Sequence, residues 1–274
     1  MKFLSLRHDI KKMLGLRIVL TYQCNYRCKF CYQKRKYGAV MPLKEFAENI
    51  ANIAGEYTPT YITLMGGEIF TIPNFAEYIK VLRARWSDIP ISVTTNGSGS
   101  IEFYKNLFLA GVNNITFSLS TLDEEEYKQI VNVPTSCQAY QKKIIEVSKH
   151  GQVRINAYIY PKNVKAIYEF CKKNKLKLTF CEELKAENEH VFAALEAVNQ
   201  FTVKQQSKFE IIYRDQDGFE FWNYIHQDHY DYNNVVMLPD GSFSDDFGDV
   251  VAQKGDRLPE QIEVEIKRGA VNKK

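Results

Sequence analysis

Leu16-Arg17-Ile18-Val19-Leu20-Thr21-Tyr22-Gln23-Cys24-Asn25-Tyr26-Arg27-Cys28-Lys29-Phe30-Cys31 lies near the start of a 274-residue chain, and the rest is read outward from it. Its first five residues have the length and composition of a strand. Three of the chain's six cysteines then fall within eight residues. On a helix, positions 24, 28 and 31 would form one buried stripe, and free cysteine is often buried. That reading fails because the triplet follows a strand directly, Asn25 resists helix, and Arg27 and Lys29 separate the thiols. A zinc site usually takes four ligands, often as paired knuckles. No second Cys/His pair follows within fifty residues. Thiolates are the usual ligands of a [4Fe–4S] cube, and three of them leave one iron with an open position for a substrate or cofactor.

Composition sets the frame. With 45% hydrophobic and 25% charged residues the chain is of ordinary globular type, long enough for one large domain or a domain with an appendage. A net charge of +3 predicts no specific nucleic-acid partner, and is compatible with an acidic peptide or a phosphorylated substrate. No apolar run reaches the ~18–20 residues of a membrane span, and Met1 to Asp9 lacks a signal-peptide core. Cys137, Cys171 and Cys181 are scattered while the other three cluster, a pattern of metal or catalytic use in a reducing compartment. The expectation is a cytoplasmic protein with no membrane partner.

From Leu16 to Phe180, strand-like and helix-like segments alternate. Strands are expected at 16–20, 61–65, 91–95, 114–119, 153–159 and 176–180. Helices are expected from Pro42, from Pro73, over Tyr104 to Phe108 with a stop at Gly111, after a Thr121 capping box, and through Ile167 to Cys171. Six such units argue for an α/β fold, a parallel sheet curled into a partial (β/α)6 TIM-like barrel over residues 16–182. Residues 1–15 are an N-terminal segment. Residues 183–274 read as a small α+β C-terminal extension covering the barrel. Within it are a helix over 186–199, strands at 209–213 and 262–266, a hairpin on Asp240-Gly241, and a frayed basic end from Lys267. In parallel folds the chemistry gathers where strands end.

Cys24-x-x-x-Cys28-x-Phe30-Cys31 resembles the signature of the radical S-adenosylmethionine (radical SAM) superfamily, in its molybdenum-cofactor-cyclase and SPASM-related branch. Further motifs arrive at successive expected strand exits. Met65-Gly66-Gly67-Glu68 is similar to the turn that meets the SAM amino group, although two glycines ending a strand also make an ordinary tight turn. Thr94-Thr95-Asn96-Gly97 follows strand three; it is not a hairpin turn, because a helix and no partner strand comes next. Ser118-Leu119-Ser120 resembles the serine segment that reaches the SAM carboxylate or ribose, and Asn156 matches a polar SAM contact. The resemblance implies that Cys24, Cys28 and Cys31 hold the cluster. It implies that Phe30, Gly66, Gly67, Glu68, Thr95, Asn96, Ser118 and Asn156 bind SAM. It also implies reductive cleavage of SAM to a 5′-deoxyadenosyl radical that takes hydrogen from a substrate.

Departures from the family pattern matter too. Ile69 stands where a proline is usual, and Val131-Asn132-Val133-Pro134 lacks the arginine that meets the SAM carboxylate, leaving Lys128 or Asn132 as substitutes. No cysteine follows Cys181, so one cluster is expected. The substrate put first is a ribosomally synthesised peptide; a nucleotide or other small metabolite is the alternative, then activation of a glycyl radical enzyme. A degenerate barrel with a structural or electron-transfer cluster is the non-enzyme alternative. Partners implied are a flavodoxin- or ferredoxin-type electron donor and, with about fifteen residues before the first strand, a separate peptide-recognition protein. Lys34-Arg35-Lys36 reads as a solvated loop, and His226, Asp228, His229 and Asp231 as no standard metal site. Asp245, Asp246 and Asp249 lack the order of a calcium loop, and Phe219 to Tyr224 reads as core.

Overall fold

The computed structural model describes residues 15–31, 38–159, 161–181, 201–206, 210–224, 229–231, 234–244, 250–254 and 263–265. The expected helix over 186–199, the Lys34 to Lys36 run, His226, Asp228 and Asp245 to Asp249 lie outside these residues. Strands β1 (Gly15–Val19), β2 (Tyr61–Met65), β3 (Ile91–Thr95), β4 (Asn114–Ser118), β5 (Gln152–Tyr158) and β6 (Lys177–Cys181) lie side by side, each parallel to the next. Their crossovers contain α1 (Leu43–Glu56), α2 (Phe75–Arg85), α3 (Ile101–Leu109), the pair α4 (Glu124–Val131) and α5 (Cys137–Ser148), and α6 (Pro161–Lys173).

The C-terminal third continues the same sheet. It supplies β7 (Phe201–Gln206), β8 (Glu210–Asp215), β9 (Glu220–Tyr224), β11 (Asn234–Met237), β12 (Phe243–Ser244) and β13 (Val250–Ala252), while β10 (His229–Asp231) and β14 (Glu263–Glu265) pair antiparallel with each other in a separate two-stranded sheet. β9 adds in parallel to β6, and β11 in parallel to β1. The twelve-stranded sheet runs β13-β12-β11-β1-β2-β3-β4-β5-β6-β9-β8-β7, with an antiparallel pair at each edge. The β11–β12 hairpin turns on Asp240-Gly241 as expected, with Gly241 at φ 82 and Leu238 donating to the Ser242 carbonyl at 2.8 Å.

One hydrogen bond shows that the sheet curls. β1 and β9 are six strand steps apart, which at about 4.8 Å per step would separate them by about 29 Å in a flat sheet. Yet Arg17 Nη2 donates to the Tyr224 hydroxyl at 3.5 Å. The face carrying Arg17 and Tyr224 is therefore concave. Register then assigns every side chain, because in-register residues share a face. Leu16, Ile18, Leu64, Val93, Ile115, Ile155 and Leu178 point outward, fully buried under the helices. They pack against Phe46 and Ile50 of α1, Ile79 and Leu82 of α2, Ile144 and Val147 of α5, and Ile167 of α6. Cys137 and Cys171 are small core residues of those helices. The aromatic stretch divides: Phe221 is core, while Trp222 and Tyr224 face the lumen.

Several helix starts shift. Pro42 stands just ahead of α1 in extended conformation, and α2 begins at Phe75, after a 3-10 turn (Ile69–Thr71) and a left-handed Asn74 at φ 52. Asp123, not Thr121, caps α4 by accepting from the Glu126 N–H at 2.7 Å; the Thr121 hydroxyl donates to the Glu126 carboxylate instead. Asp123 stands directly before α4 in extended backbone, the position a cap requires, whereas Thr121 lies two residues further out. Gly111, at φ 108, ends α3 as expected.

Candidate active site

The cysteine loop is built by close backbone approach. Past β1, Thr21 to Gln23 runs beside Gly66 to Glu68, with Gly67 N–H donating to Thr21 at 2.8 Å and Glu68 N–H to Gln23 at 2.7 Å. A Cβ on Gly67 would overlap the Gln23 carbonyl, and Gly66, at φ 130, would bring one within 2.7 Å of the Thr21 carbonyl. The paired glycines are thus required where β1 and β2 end. On the other side, Arg27 and Lys29 donate their backbone N–H groups to Val131 and Ile130, each at 3.0 Å, which docks the loop on the last turn of α4. Cys31 N–H closes a turn onto the Cys28 carbonyl at 3.3 Å.

Glu68 joins the exits of β2 and β3. It is 1% exposed, and its carboxylate accepts from the Thr95 hydroxyl at 2.7 Å, the Phe70 N–H at 3.1 Å and the Asn96 N–H at 2.6 Å. Burial pushes its carboxyl above the ordinary range, against those three donors and the Lys143 charge. Thr95 is itself buried, shared between Glu68 and the Tyr104 hydroxyl. Asn96 turns toward the cysteines: Nδ2 donates to Asn25 Oδ1 at 2.9 Å and approaches Cys24 Sγ at 3.7 Å. Cys24 Sγ also accepts from the Tyr26 N–H at 3.4 Å. Burial raises the Cys24 thiol, and these two donors favour its thiolate. Lys143 holds the Gly97 and Gly99 carbonyls at 2.9 and 2.8 Å, fixing the loop beyond Asn96.

The remaining expected residues sit at the exits of β4 and β5. Ser118 is exposed, in register with Asn156, and its carbonyl accepts from Tyr140 at 3.1 Å. Ser120 is committed to the Tyr158 N–H at 3.1 Å. Asn156 Oδ1 is buried with no hydrogen-bond partner. The Phe30 ring lies 4.4 Å from that of Tyr158, centre to centre. Of the two substitutes for the missing arginine, Lys128 is paired with Glu125 and Glu124, and Asn132 is the left-handed cap of α4. Sequence reading missed Tyr127. Its ring is 2% exposed under the cysteine loop, its hydroxyl makes no hydrogen bond of good geometry although the Tyr26 side chain stands near it, and burial pushes the phenol up. Only the docking of the loop on α4 reveals it.

Among the described residues no three His, Cys, Asp or Glu side chains converge on a point fit for one metal ion. A cubane makes a different demand, since each thiolate binds its own iron and the ligands stand apart around one face. Cys24, Cys28 and Cys31 lie on one short loop and form no disulfide, with N–H groups aimed at Cys24 and the buried Tyr127 phenol beneath. That donor set fits a cluster.

The Radical SAM superfamily model matches residues 18–173. A probable GTP 3′,8-cyclase of Thermococcus kodakarensis is 36% identical over 125 residues, 45% of this chain and 40% of that protein. The GTP 3′,8-cyclase of Campylobacter jejuni strain RM1221 is 26% identical over 228 residues, 75% of this chain and 68% of the relative. Among solved structures, Streptococcus suis SuiB bound to S-adenosylmethionine superposes with TM-score 0.64 at 14% identity, over 84% of this chain and 59% of SuiB. Methylornithine synthase gives TM-score 0.53 at 17% identity, over 66% of this chain and 59% of that structure. At such identities the likeness is one of fold, and it agrees with the parallel sheet and outer helices found here. With the cysteine loop at the first strand exit, the chain belongs to the radical SAM superfamily and is an enzyme of that kind.

Proposed function

We propose that Cys24, Cys28 and Cys31 ligate one [4Fe–4S] cluster, that SAM binds between this loop and the β4–β5 exits, and that the substrate is a nucleotide or another small metabolite. The observation that carries the proposal is that one short loop at the carboxyl end of β1 holds Cys24, Cys28 and Cys31, with the Asn96 amide beside Cys24 and the Gly66-Gly67-Glu68 turn at the ends of β2 and β3 bonded to the backbone that leads into it. When bound, the reduced cluster supplies the electron that breaks the SAM S–C5′ bond and so generates the hydrogen-abstracting radical. This chain's residues do the rest. Asn96 and the Tyr26 N–H orient Cys24, the Phe30–Tyr158 pair offers an apolar face for a ring, and Asn156 presents an unsatisfied oxygen to a donor.

A nucleotide comes first because the relatives that cover most of this chain are named GTP 3′,8-cyclase. The ribosomal peptide that sequence reading favours stands second. SuiB has been solved with its precursor peptide, and its fold spans 88% of this chain, but that likeness speaks for the fold and not for the substrate. An electron donor of flavodoxin or ferredoxin type completes the proposal. The test is anaerobic reconstitution followed by dithionite reduction with SAM. Production of 5′-deoxyadenosine and methionine, lost in Cys24→Ala, Cys28→Ala and Cys31→Ala, is expected. An intact cluster that leaves SAM uncleaved, with nucleotide and peptide substrates supplied, would overturn it.

A further inference from the structure

Tyr127 carries a polar atom that packing does not account for. Its ring is core, 2% exposed and 5.6 Å from the Tyr140 ring, centre to centre. A phenylalanine would fill that space equally well, so packing explains the ring and not the oxygen. The buried tyrosines nearby place their hydroxyls on partners. Tyr140 donates to the Ser118 carbonyl at 3.1 Å, and the Tyr104 hydroxyl bonds the Thr95 hydroxyl and the Gly99 N–H, each at 3.1 Å. The Tyr127 hydroxyl is buried and makes no hydrogen bond of good geometry. Folded proteins rarely leave a buried donor so, because its lost hydration goes unreplaced.

Its place in the fold points to an acceptor. Arg27 and Lys29 donate their backbone N–H groups to Val131 and Ile130 at 3.0 Å each, so Cys28 sits between two anchors on the last turn of α4. Tyr127 lies four and three residues before those anchors, on the same side of the helix. Cys28 packs against the core there, and Tyr26, Cys137 and Cys28 are near enough to act on the Tyr127 oxygen. Cys137 is already engaged, donating to the Thr121 carbonyl at 3.5 Å and accepting from Gln141 at 3.3 Å. A phenol paired with the Tyr26 phenol is the bland alternative. That pair lacks the geometry of a bond, and a neutral hydroxyl is a weaker acceptor than a charged sulfur. Burial pushes the Tyr127 phenol up, so it keeps its O–H to give.

We propose that the Tyr127 hydroxyl donates a hydrogen bond to the Cys28 sulfur when that sulfur is a cluster thiolate, and thereby raises the reduction potential of the cluster. The proposal rests on the reading of Cys24, Cys28 and Cys31 as cluster ligands, and it gives α4 a part beyond docking the loop. A thiol is a weak acceptor and a thiolate a strong one. Hydrogen bonds to the sulfurs of a cluster draw off negative charge and favour its reduced state. Cys24 has such donors in the Tyr26 N–H and the Asn96 amide, and Tyr127 is their counterpart at Cys28.

The test uses the full chain, reconstituted anaerobically without SAM or substrate, as wild type, Tyr127→Phe and Tyr26→Phe. The last keeps the backbone N–H at Cys24 and removes only the rival hydroxyl. Iron content and visible absorption are read first, and a wild type that holds no cluster overturns the cluster reading and this proposal with it. Redox titration followed by electron paramagnetic resonance then gives the midpoint potential. Tyr127→Phe is expected to lower the ratio of reduced to oxidised cluster at fixed poise about tenfold, a shift of about 59 mV to more negative potential. Its iron–thiolate stretching bands in the resonance Raman spectrum should move to higher frequency, because the bond that weakened them is gone. Tyr26→Phe should leave the ratio within about threefold of wild type, under half of that shift. An unmoved midpoint in Tyr127→Phe, with its cluster intact, overturns the hydrogen bond and leaves the cluster standing. So does an equal shift in Tyr26→Phe, which assigns the effect to the phenol pair. A Tyr127→Phe that no longer loads its cluster also overturns it, since the residue then serves assembly and not potential.

Discussion

A methyl group added at Gly67 and one added at Gly55 meet opposite surroundings. At Gly67 it overlaps the Gln23 carbonyl, main chain on both sides, and neither segment can yield without breaking the rungs that seat Cys24. At Gly55, in α1, nothing stands within 4 Å. Gly67→Ala should therefore cost about 1–3 kcal/mol of unfolding free energy, and Gly55→Ala should gain roughly 0.5–1 kcal/mol. Denaturant unfolding of both variants in parallel checks this; equal effects would mean the turn is looser than described. Tyr127 tests the loop from below. A buried hydroxyl without a partner is unfavourable by about 1–3 kcal/mol, so Tyr127→Phe should leave the apo-protein as stable or up to about 1 kcal/mol more so. A clear loss of thermal stability would show that the phenol is satisfied after all.

At the scale of elements, Glu68 links two strand exits, and its titration reports the joint. Its carboxyl is raised by burial, so the folded state holds the proton more tightly than the unfolded chain. The stability that this contributes is fully present below the ordinary glutamate pKa of about 4.3. It fades as pH rises through the higher folded value. Stability curves of wild type and Glu68→Gln, taken from pH 4 to 7 by urea unfolding, should diverge in slope, with the wild type losing stability relative to the variant as pH rises. Parallel curves would mean that Glu68 titrates normally. This joint is not legible in sequence: Gly-Gly-Glu reads as a cofactor turn, and only the approach of Asn96 and Thr95 shows where the carboxylate is engaged. β1 to β6 are legible because each outward face is an apolar alternation and helical periodicity separates the strands. β9 and β11 are not. Glu-Phe-Trp-Asn-Tyr and Asn-Val-Val-Met are short, and nothing local says that one will pair with β6 and the other with β1. The Thr121 cap misleads for a related reason, since Asp123 offers a better-placed acceptor two residues later.

For the whole molecule, the curl that brings Arg17 to Tyr224 gathers all strand exits around one mouth, and the cysteines are unequally placed with respect to it. Cys24, Cys28 and Cys31 lie on the loop that follows β1. Cys137 and Cys171 are fully buried on helices packed against the convex face, and burial pushes both thiols up, which opposes the deprotonation that iron binding requires. Cys181, on the lumen side at the end of β6, is the one other thiol near the mouth, and Arg154's charge reaches it. Iron analysis after full anaerobic reconstitution should give no more than about four irons per chain, one cubane. Cys137→Ala and Cys171→Ala should leave that content unchanged, while loss of any loop cysteine should abolish the cluster's visible absorption. Cys181→Ala is the discriminating variant. If it lowers the iron content or alters the electron paramagnetic resonance of the reduced cluster, then β6 supplies a ligand and the fourth iron is capped by protein, leaving SAM no open site to chelate.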